Sequence, residues 1–242
     1  MKASIKLVAA LLAGAGVATP ALAAEQMGVS KNEIVVGTIQ DLSGPLAGFG
    51  KALRMGIQMR ADEINEAGGI NGRKIKLVAE DSGYDPKKAL LAAQKMVQQD
   101  KLFAMVGTVG TAVNLATFPT LFDKGVMNLF PLTAAREMFE PLHKLKFSFA
   151  APYYDQVRTG VKWMVKERGA KKFCIIYQDD DFGTEVLKGA EDGLKDIKMS
   201  FAEKTSFKRG ATDFSAQVAK MKSADCDTVV LGTIIRETIG TI

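Results

Sequence analysis

The sequence predicts an α/β protein made of two doubly wound parallel-sheet lobes joined by a hinge. Short apolar segments typical of buried strands alternate with amphipathic helical segments along the chain. This alternation begins again at Ala151, after a first run of strands and helices. Strands separated by helices pair in parallel, and the second run indicates a second unit of the same kind. We therefore expect an N-terminal lobe at residues 24–150 and a second lobe at residues 151–242.

The N-terminal lobe is predicted to contain five strands. Apolar residues recur at helical spacing from Leu53 to Ile64, which indicates a helix with one buried face after the first strand. Asp85 and Pro86 are typical of the N-cap and first position of a second helix. The third and fourth strands are short and wholly apolar, as strands buried on both faces are. The five predicted strands are Glu33–Ile39, Lys74–Ala79, Phe103–Val106, Val126–Phe130 and Phe147–Ala150.

The second lobe is predicted to contain three strands and the helices between them. Arg236 and Glu237 begin a further helical pattern just before Ile242. Because the second unit stops there after only three strands, we expect its C-terminal part to be missing and the chain to be a fragment. The predicted order is a helix at Val157–Val165, a strand at Phe173–Tyr177, a helix from Gly183, a strand near Ser200–Phe207, a helix at Asp213–Met221 and a strand at Thr228–Leu231.

The first 23 residues have the pattern of a signal peptide. Lys2 and Lys6 precede an apolar segment, Leu7–Ala18, that is too short to span a bilayer. Ala21-Leu22-Ala23 fits the small-residue cleavage pattern, so residues 1–23 are expected to be removed. No later apolar run reaches transmembrane length. We therefore expect an exported, soluble protein.

The composition is that of an ordinary globular domain and argues against nucleic-acid binding. Hydrophobic residues make up 47% and charged residues 24% of the chain. The formal net charge is +5, but the lysines and arginines are scattered and form no basic run with interleaved aromatic residues. We therefore expect no nucleic-acid partner. Separately, we expect the protein to be a monomer.

Few side chains are available for metal binding or for covalent chemistry. Cys174 and Cys226 are the only cysteines and His143 is the only histidine, so neither a zinc site nor a Cys–His nucleophile has enough partners. An oxidising compartment permits a disulfide, but both cysteines adjoin apolar strands, and we favour two unpaired core cysteines. Motifs of nucleophilic and metal-dependent enzymes are absent. The expectation is a protein without catalytic residues, cofactor or metal.

The segment from Phe103 to Ala135 has the pattern of a small-molecule site. Its two apolar strands end in small and hydroxyl residues, Gly107–Thr111 after the first and Pro131–Ala134 after the second. Open parallel sheets bind ligands at the carboxyl ends of their strands. A helical pattern follows each of the two segments, and the free N–H groups of a helix start favour an anion. These residues therefore predict a site for a carboxylate or a phosphate, although a turn without a ligand has the same pattern.

Three consecutive acids, Asp179–Asp181, have two interpretations. Their oxygens suit calcium or magnesium. A run of this kind more often caps the following helix and is solvated, and we favour that interpretation.

Three motifs lie at intervals that are specific in combination: SGPLA at Ser43–Ala47, INEAGGINGR at Ile64–Arg73 and DDDFG at Asp179–Gly183. Together they resemble the solute-binding proteins of branched-chain amino acid ABC transporters, which are type I periplasmic binding proteins. The resemblance extends over essentially the whole chain after the signal peptide. It implies capture of a branched-chain or hydrophobic amino acid, or a related small carboxylate, by hinge closure and its delivery to the permease subunits of an ABC importer. The same cleft would serve an exported sensor module for a membrane receptor, which we keep as the alternative.

The resemblance also implies which residues bind the ligand. Thr111 and Ala112 occupy positions where relatives hold the ligand carboxylate by a hydroxyl and a backbone N–H. Leu132, Thr133 and Ala134 fall where a carbonyl and a hydroxyl meet the ammonium and the carboxylate. The apolar walls fall to Phe49, Phe182 and Ile234, which leaves room for an aromatic or aliphatic carboxylate.

Tyr154 lies at the expected crossover between the lobes. From there it either reaches the cleft or packs on the surface. We include it among the candidate ligand-binding residues.

Overall fold

The computed structural model describes residues 26–242, so the predicted signal peptide lies outside the described residues. The first lobe contains strands β1 Glu33–Gln40, β2 Lys74–Asp81, β3 Ala104–Val106, β4 Met127–Leu129 and β5 Lys146–Phe147. Its helices are α1 Ala47–Glu66, α2 Pro86–Lys95 and α3 Thr111–Asp123. All strands pair in parallel in the order β2-β1-β3-β4-β5. The five predicted strands are thus confirmed, with bounds that shift by a few residues.

One face of this sheet is buried beneath α2 and α3. Ile39 and Met105 point to that face and are fully buried. The alanines of α2, Ala89 and Ala93, are also fully buried and let the helix approach the sheet closely. Beyond α2 the chain makes a π-helical turn, Met96–Asp100, which ends at Lys101 in the left-handed region.

The predicted cap of α2 is confirmed. The Asp85 side chain accepts hydrogen bonds from the backbone N–H groups of Lys87 at 2.7 Å and Lys88 at 3.1 Å, and Pro86 takes the first helical position. Two of the free N–H groups at the helix start are therefore satisfied locally.

We expect Asp85→Ala to lower the free energy of unfolding by about 1 kcal/mol, because the helix loses this cap. The bonds from Lys88 and Lys87 hold the pKa of the Asp85 carboxyl below its ordinary 3.8. The cap therefore contributes fully above the pKa of the unfolded chain and is lost as pH falls through the lower folded-state value. Urea unfolding at several pH values checks this: the difference from wild type should narrow below about pH 4. Asp62→Ala, on the exposed side of α1, is the control.

The second lobe has a smaller parallel sheet. Its strands are β6 Phe173–Gln178, β7 Glu203–Phe207 and β8 Thr228–Gly232, in the order β7-β6-β8. Alternate residues of β6 face opposite sides: Phe173 packs among α4 and α5, whereas Cys174 and Ile176 pack against α6. The helices of this lobe are α4 Tyr153–Arg168, α5 Asp181–Asp196, α6 Ser215–Ser223 and α7 Ile235–Thr241.

The prediction that both cysteines are unpaired is wrong. Cys174 and Cys226 form a disulfide with their Cα atoms 6.0 Å apart. The reason is the strand order, because β6 pairs directly with β8 and Phe173 lies opposite Thr228. Cys226 therefore reaches Cys174 from the segment just before β8. The disulfide ties the central strand of the second sheet to the segment that leads into the outer strand β8.

Within residues 26–242, no helix is long and apolar enough to cross a membrane.

Candidate ligand-binding cleft

A cleft of about 450 Å³ lies between the two lobes at the carboxyl ends of their strands. Its size falls in the range of small-molecule sites, and apolar side chains make up most of its lining. The lining residues are Leu46, Phe49, Tyr84, Val109, Gly110, Thr111, Leu132, Thr133, Tyr153, Phe182, Thr233, Ile234, Ile235, Thr238 and Ile239. The cleft thus brings together six of the predicted site residues, Phe49, Thr111, Leu132, Thr133, Phe182 and Ile234.

The polar part of the cleft is formed by two threonines. Thr111 begins α3 and Thr133 follows β4, and their hydroxyl oxygens lie 2.7 Å apart in a hydrogen bond. Both residues are buried. The start of α3 places free backbone N–H groups beside these hydroxyls. Hydroxyls together with helix N–H groups form an arrangement suited to a small anion.

A second helix start beside Thr133 was predicted, and that prediction is wrong. The segment after β4 contains only a three-residue 3₁₀ turn, Arg136–Met138. Leu132 explains the difference, because its N–H donates to Thr108 O at 2.9 Å and its carbonyl accepts from Gly110 N–H at 3.2 Å. These bonds hold the segment extended against the loop before α3. Among the helices of residues 26–242, only α3 therefore contributes an N-terminus to this end of the cleft.

The loop before α3 is fixed from behind by Asn114, which is fully buried. Its side-chain amide donates to Thr108 O at 2.9 Å and to Gly110 O at 2.8 Å. The Thr108 hydroxyl in turn accepts from Ile39 N–H at 3.3 Å. The position of Thr111 is therefore set by hydrogen bonds from both α3 and β1.

Aromatic and aliphatic side chains from both lobes form the rest of the cleft. Phe49 reaches it from α1 and Phe182 from the first turn of α5. The ring of Phe182 packs edge-on against Tyr153, with centroids 5.2 Å apart. Ile234, at the start of α7, completes the wall from the second lobe. These contacts suit the apolar body of a ligand whose charged group lies at the threonines.

Three predicted site residues, Ala112, Ala134 and Tyr154, do not line the cleft. Tyr154 points away from it: its hydroxyl donates to Asp192 at 2.6 Å, and the guanidinium of Arg136 lies 3.9 Å from its ring centroid. Ala134 is buried, and its carbonyl accepts from Tyr153 N–H at 2.8 Å. Tyr154 therefore packs against Asp192 and Arg136, and its neighbour Tyr153 lines the cleft instead.

Sequence reasoning missed several cleft residues, above all Tyr84 and Tyr153. Tyr84 follows β2, and the rule that ligands bind beyond the carboxyl ends of parallel strands was a signal for it. Ile235, Thr238 and Ile239 line the cleft from α7, and their spacing of three and four residues is typical of one helix face. Burial is the main reason that the pKa of the Tyr84 hydroxyl is raised, and the negative charge of Asp180 adds to the effect.

The acidic run beside the cleft caps α5. Asp180 accepts from the backbone N–H groups of Phe182 at 3.1 Å and Gly183 at 3.2 Å, which confirms the capping interpretation. It is not solvated as expected, because its side chain is mostly buried in an ion pair with Arg209. Among the described residues, no group of three or more acids, histidines or cysteines is arranged to hold a metal ion.

A partly buried ion pair between Arg136 and Glu185 links the lobes next to the cleft. The guanidinium of Arg136 contacts both carboxylate oxygens of Glu185, at distances from 3.0 to 3.3 Å. The Glu185 side chain is only 3% exposed. The hydrogen bonds to the Glu185 carboxylate raise the pKa of the Arg136 guanidinium. The pair fixes the first turns of α5, which carry Phe182, against the first lobe.

The sequence profile of the periplasmic binding protein family matches residues 33–242. The chain belongs to this family. Its two parallel-sheet lobes are the type I periplasmic binding protein fold expected from the sequence. One solved relative is the branched-chain amino acid transporter substrate-binding protein of Streptococcus pneumoniae in complex with isoleucine. It superimposes with a TM-score of 0.72 at 27% identity, over 83% of this chain and 57% of that protein.

Two curated proteins are also similar in sequence to this chain. An amino acid binding protein of Pseudomonas aeruginosa is 28% identical over 209 residues, which are 85% of this chain and 56% of the relative. The Leu/Ile/Val-binding protein of Escherichia coli K12 is 27% identical over 223 residues, which are 92% of this chain and 59% of the relative. The resemblance to the branched-chain amino acid group is therefore confirmed. The chain spans less than two thirds of the length of these relatives.

Proposed function

We propose that the protein is an exported periplasmic solute-binding protein of an ABC importer, which captures a small carboxylated ligand and delivers it to the membrane permease. The observation that carries this proposal is the pair of buried hydroxyls, Thr111 and Thr133, at the polar end of an otherwise apolar cleft between two lobes. Membership of the periplasmic binding protein family supports it. The permease as partner, the monomeric state and the periplasmic location are parts of the same proposal.

The hydroxyls and the start of α3 would hold the ligand carboxylate. Thr111 and Thr133 now hydrogen-bond to each other, and a carboxylate placed between them would accept from both. An anion at the start of α3 is further stabilised by the partial positive charge of the helix. The two hydroxyls therefore exchange one hydrogen bond between neutral groups for hydrogen bonds to a charged acceptor, the ligand carboxylate.

The walls favour an apolar ligand body, and they come from both lobes. Phe49 belongs to the first lobe, whereas Phe182 and Ile234 belong to the second. A ligand that contacts all three stabilises the arrangement in which the lobes are close, which is the energetic basis of hinge closure. We propose a branched-chain or hydrophobic amino acid, or an aliphatic or aromatic carboxylate, as the ligand class. Binding without turnover is part of the proposal.

Isothermal titration calorimetry of the purified protein with matched ligand pairs tests this function. L-leucine is compared with L-leucinamide, and benzoate with benzamide, because each amide keeps the apolar body but lacks the negative charge. We expect at least one carboxylate to bind and its amide to bind at least about tenfold more weakly, as loss of a charge-assisted hydrogen bond predicts. Mass spectrometry should recover the bound compound unchanged. Equal binding of acid and amide, or no binding by either acid, would contradict the proposal.

A further inference from the structure

Tyr84 combines an unusual backbone conformation with almost complete burial. It lies between β2 and α2 with a φ of +61°, in the left-handed region that a bulky residue rarely adopts. The residue is 4% exposed and lines the cleft. The Ser82 hydroxyl accepts from Tyr84 N–H at 3.2 Å, and Ser82 O accepts from Asp85 N–H at 2.9 Å. Strained residues held in this way cluster at functional sites.

The ring of Tyr84 fits directly against the loop that presents Thr111. A Cβ atom at Gly110 would lie only 2.6 Å from Cε2 of Tyr84, so the ring occupies the space that any other residue at Gly110 would need. Gly110 itself has a φ of +98°, which favours glycine for a second reason. Tyr84 and Gly110 are therefore a matched pair within the first lobe.

The other side of Tyr84 meets a polar cluster of the second lobe, formed by Gln178, Asp180 and Arg209. Side-chain N–H groups of Gln178 and Arg209 both donate to the same carboxylate oxygen of Asp180. The guanidinium of Arg209 lies 5.1 Å from the Tyr84 ring centroid, within the range of a cation–π contact. Gln178 is fully buried, and its amide oxygen has no hydrogen-bond partner among residues 26–242. A buried acceptor without a hydrogen bond lowers the stability of the fold, and a hydrogen bond from a donor removes this penalty.

We infer that Tyr84 is a positioning residue that couples ligand occupancy of the cleft to the relative position of the lobes. The inference rests on the proposed function. Its ring contacts the ligand space and Gly110, next to Thr111, while its hydroxyl lies beside Gln178 and Asp180. A ligand that orders the Gly110–Thr111 loop thereby also orders the ring that touches the second lobe. A hydrogen bond from the Tyr84 hydroxyl to the unpartnered amide oxygen of Gln178 requires the two lobes to be close together.

The test measures the distance between the lobes directly, with and without ligand. Spin labels on cysteines introduced at the exposed positions Met59 of α1 and Lys195 of α5 report this distance by pulsed electron paramagnetic resonance. The native disulfide leaves Cys174 and Cys226 unlabelled. Tyr84→Phe deletes only the hydroxyl, and Tyr177→Phe is the matched control because Tyr177 precedes Gln178 but does not line the cleft.

We expect Tyr84→Phe and Arg209→Gln each to broaden the ligand-free distance distribution toward longer values, whereas Tyr177→Phe leaves it unchanged. The affinity for the tightest binder among L-leucine, L-isoleucine and benzoate should fall about 3- to 10-fold, through faster dissociation. The double variant Tyr84→Phe/Arg209→Gln should lose no more affinity than the single variant with the larger loss. Both changes act on the same contact between the lobes, so their effects should not add.

Two results would overturn the inference. One is a ligand-free distance distribution of Tyr84→Phe that matches wild type. The other is a loss of affinity in the double variant that equals the sum of the losses in Tyr84→Phe and Arg209→Gln. The distance measurement without ligand stands even if none of the three compounds binds. Failure of the inference is therefore distinguishable from failure of the proposed function.

Discussion

Thr111→Val is expected to weaken ligand binding by roughly 10- to 100-fold while leaving the fold intact. Valine has the shape of threonine but lacks the hydroxyl, and a hydrogen bond to a charged group contributes about 1.5–3 kcal/mol. Thr111 is 1% exposed, so water has little access to replace the lost donor. The measurement is calorimetry with the tightest binder among L-leucine, L-isoleucine and benzoate.

The same helix provides a matched control in Thr117. This residue is also 1% exposed, but its hydroxyl donates to Asn114 O at 2.8 Å and it does not line the cleft. Thr117→Val should therefore bind as tightly as wild type. A loss as large in Thr117→Val as in Thr111→Val would show that helix stability, rather than the hydroxyl, determines the affinity.

Thr133→Val extends this test to the other side of the cleft. Because the hydroxyls of Thr111 and Thr133 are hydrogen-bonded to each other, the two sites are coupled. The affinity lost by the double variant should therefore differ from the sum of the two single losses. Strict additivity would place the two hydroxyls in separate subsites.

Loss of the disulfide between Cys174 and Cys226 is expected to lower the free energy of unfolding by about 2–4 kcal/mol. The cysteines are 52 residues apart in sequence, so the bond closes a long loop and restricts the unfolded chain strongly. The bond also joins β6 to the segment that leads into β8, an outer strand of a sheet with three strands. Urea unfolding of the wild type with and without reductant measures the effect.

The double variant Cys174→Ala/Cys226→Ala serves as the control for the reductant. Its unfolding midpoint should be lowered relative to oxidised wild type and should not respond to reductant. Thiol titration of the unfolded, unreduced wild type should find no free thiol. Two reactive thiols per chain would contradict the disulfide and restore the original expectation of unpaired cysteines.

Much of the fold was predictable because local patterns and tertiary packing agree. Strands such as β3 and β6 are apolar runs that suit burial on both faces of a parallel sheet, and Asp85 with Pro86 marks the start of α2. The failures occurred where distant backbone groups competed with a local pattern. The segment after β4 resembles a helix start in sequence, but hydrogen bonds between Leu132 and the Thr108–Gly110 loop keep it extended.

The cleft was only partly predictable, because its residues come from loops that are far apart in sequence. The motif around Thr111 indicated one side, and the family resemblance indicated Phe49 and Phe182. Tyr84 carries no motif of its own, and its contact with Gly110 depends on two turns with positive φ values. The choice of Tyr153 over Tyr154 depends on the direction in which α4 starts. A shift of one residue on a helix turns a side chain by about 100° and decides between cleft and surface.

The sequence by itself determined the α/β class, the order of strands and helices, and the position of an anion-suited segment at a strand end. These features follow from periodicity, capping and the chemistry of single segments, which act over a few residues. Only the tertiary structure decided that Cys174 and Cys226 pair, that Thr133 approaches Thr111 without a second helix, and that Tyr84 contacts both lobes. Each of these contacts depends on strand order and on how the lobes meet. The residues around either partner in sequence therefore carry no pattern that indicates the contact or its energy.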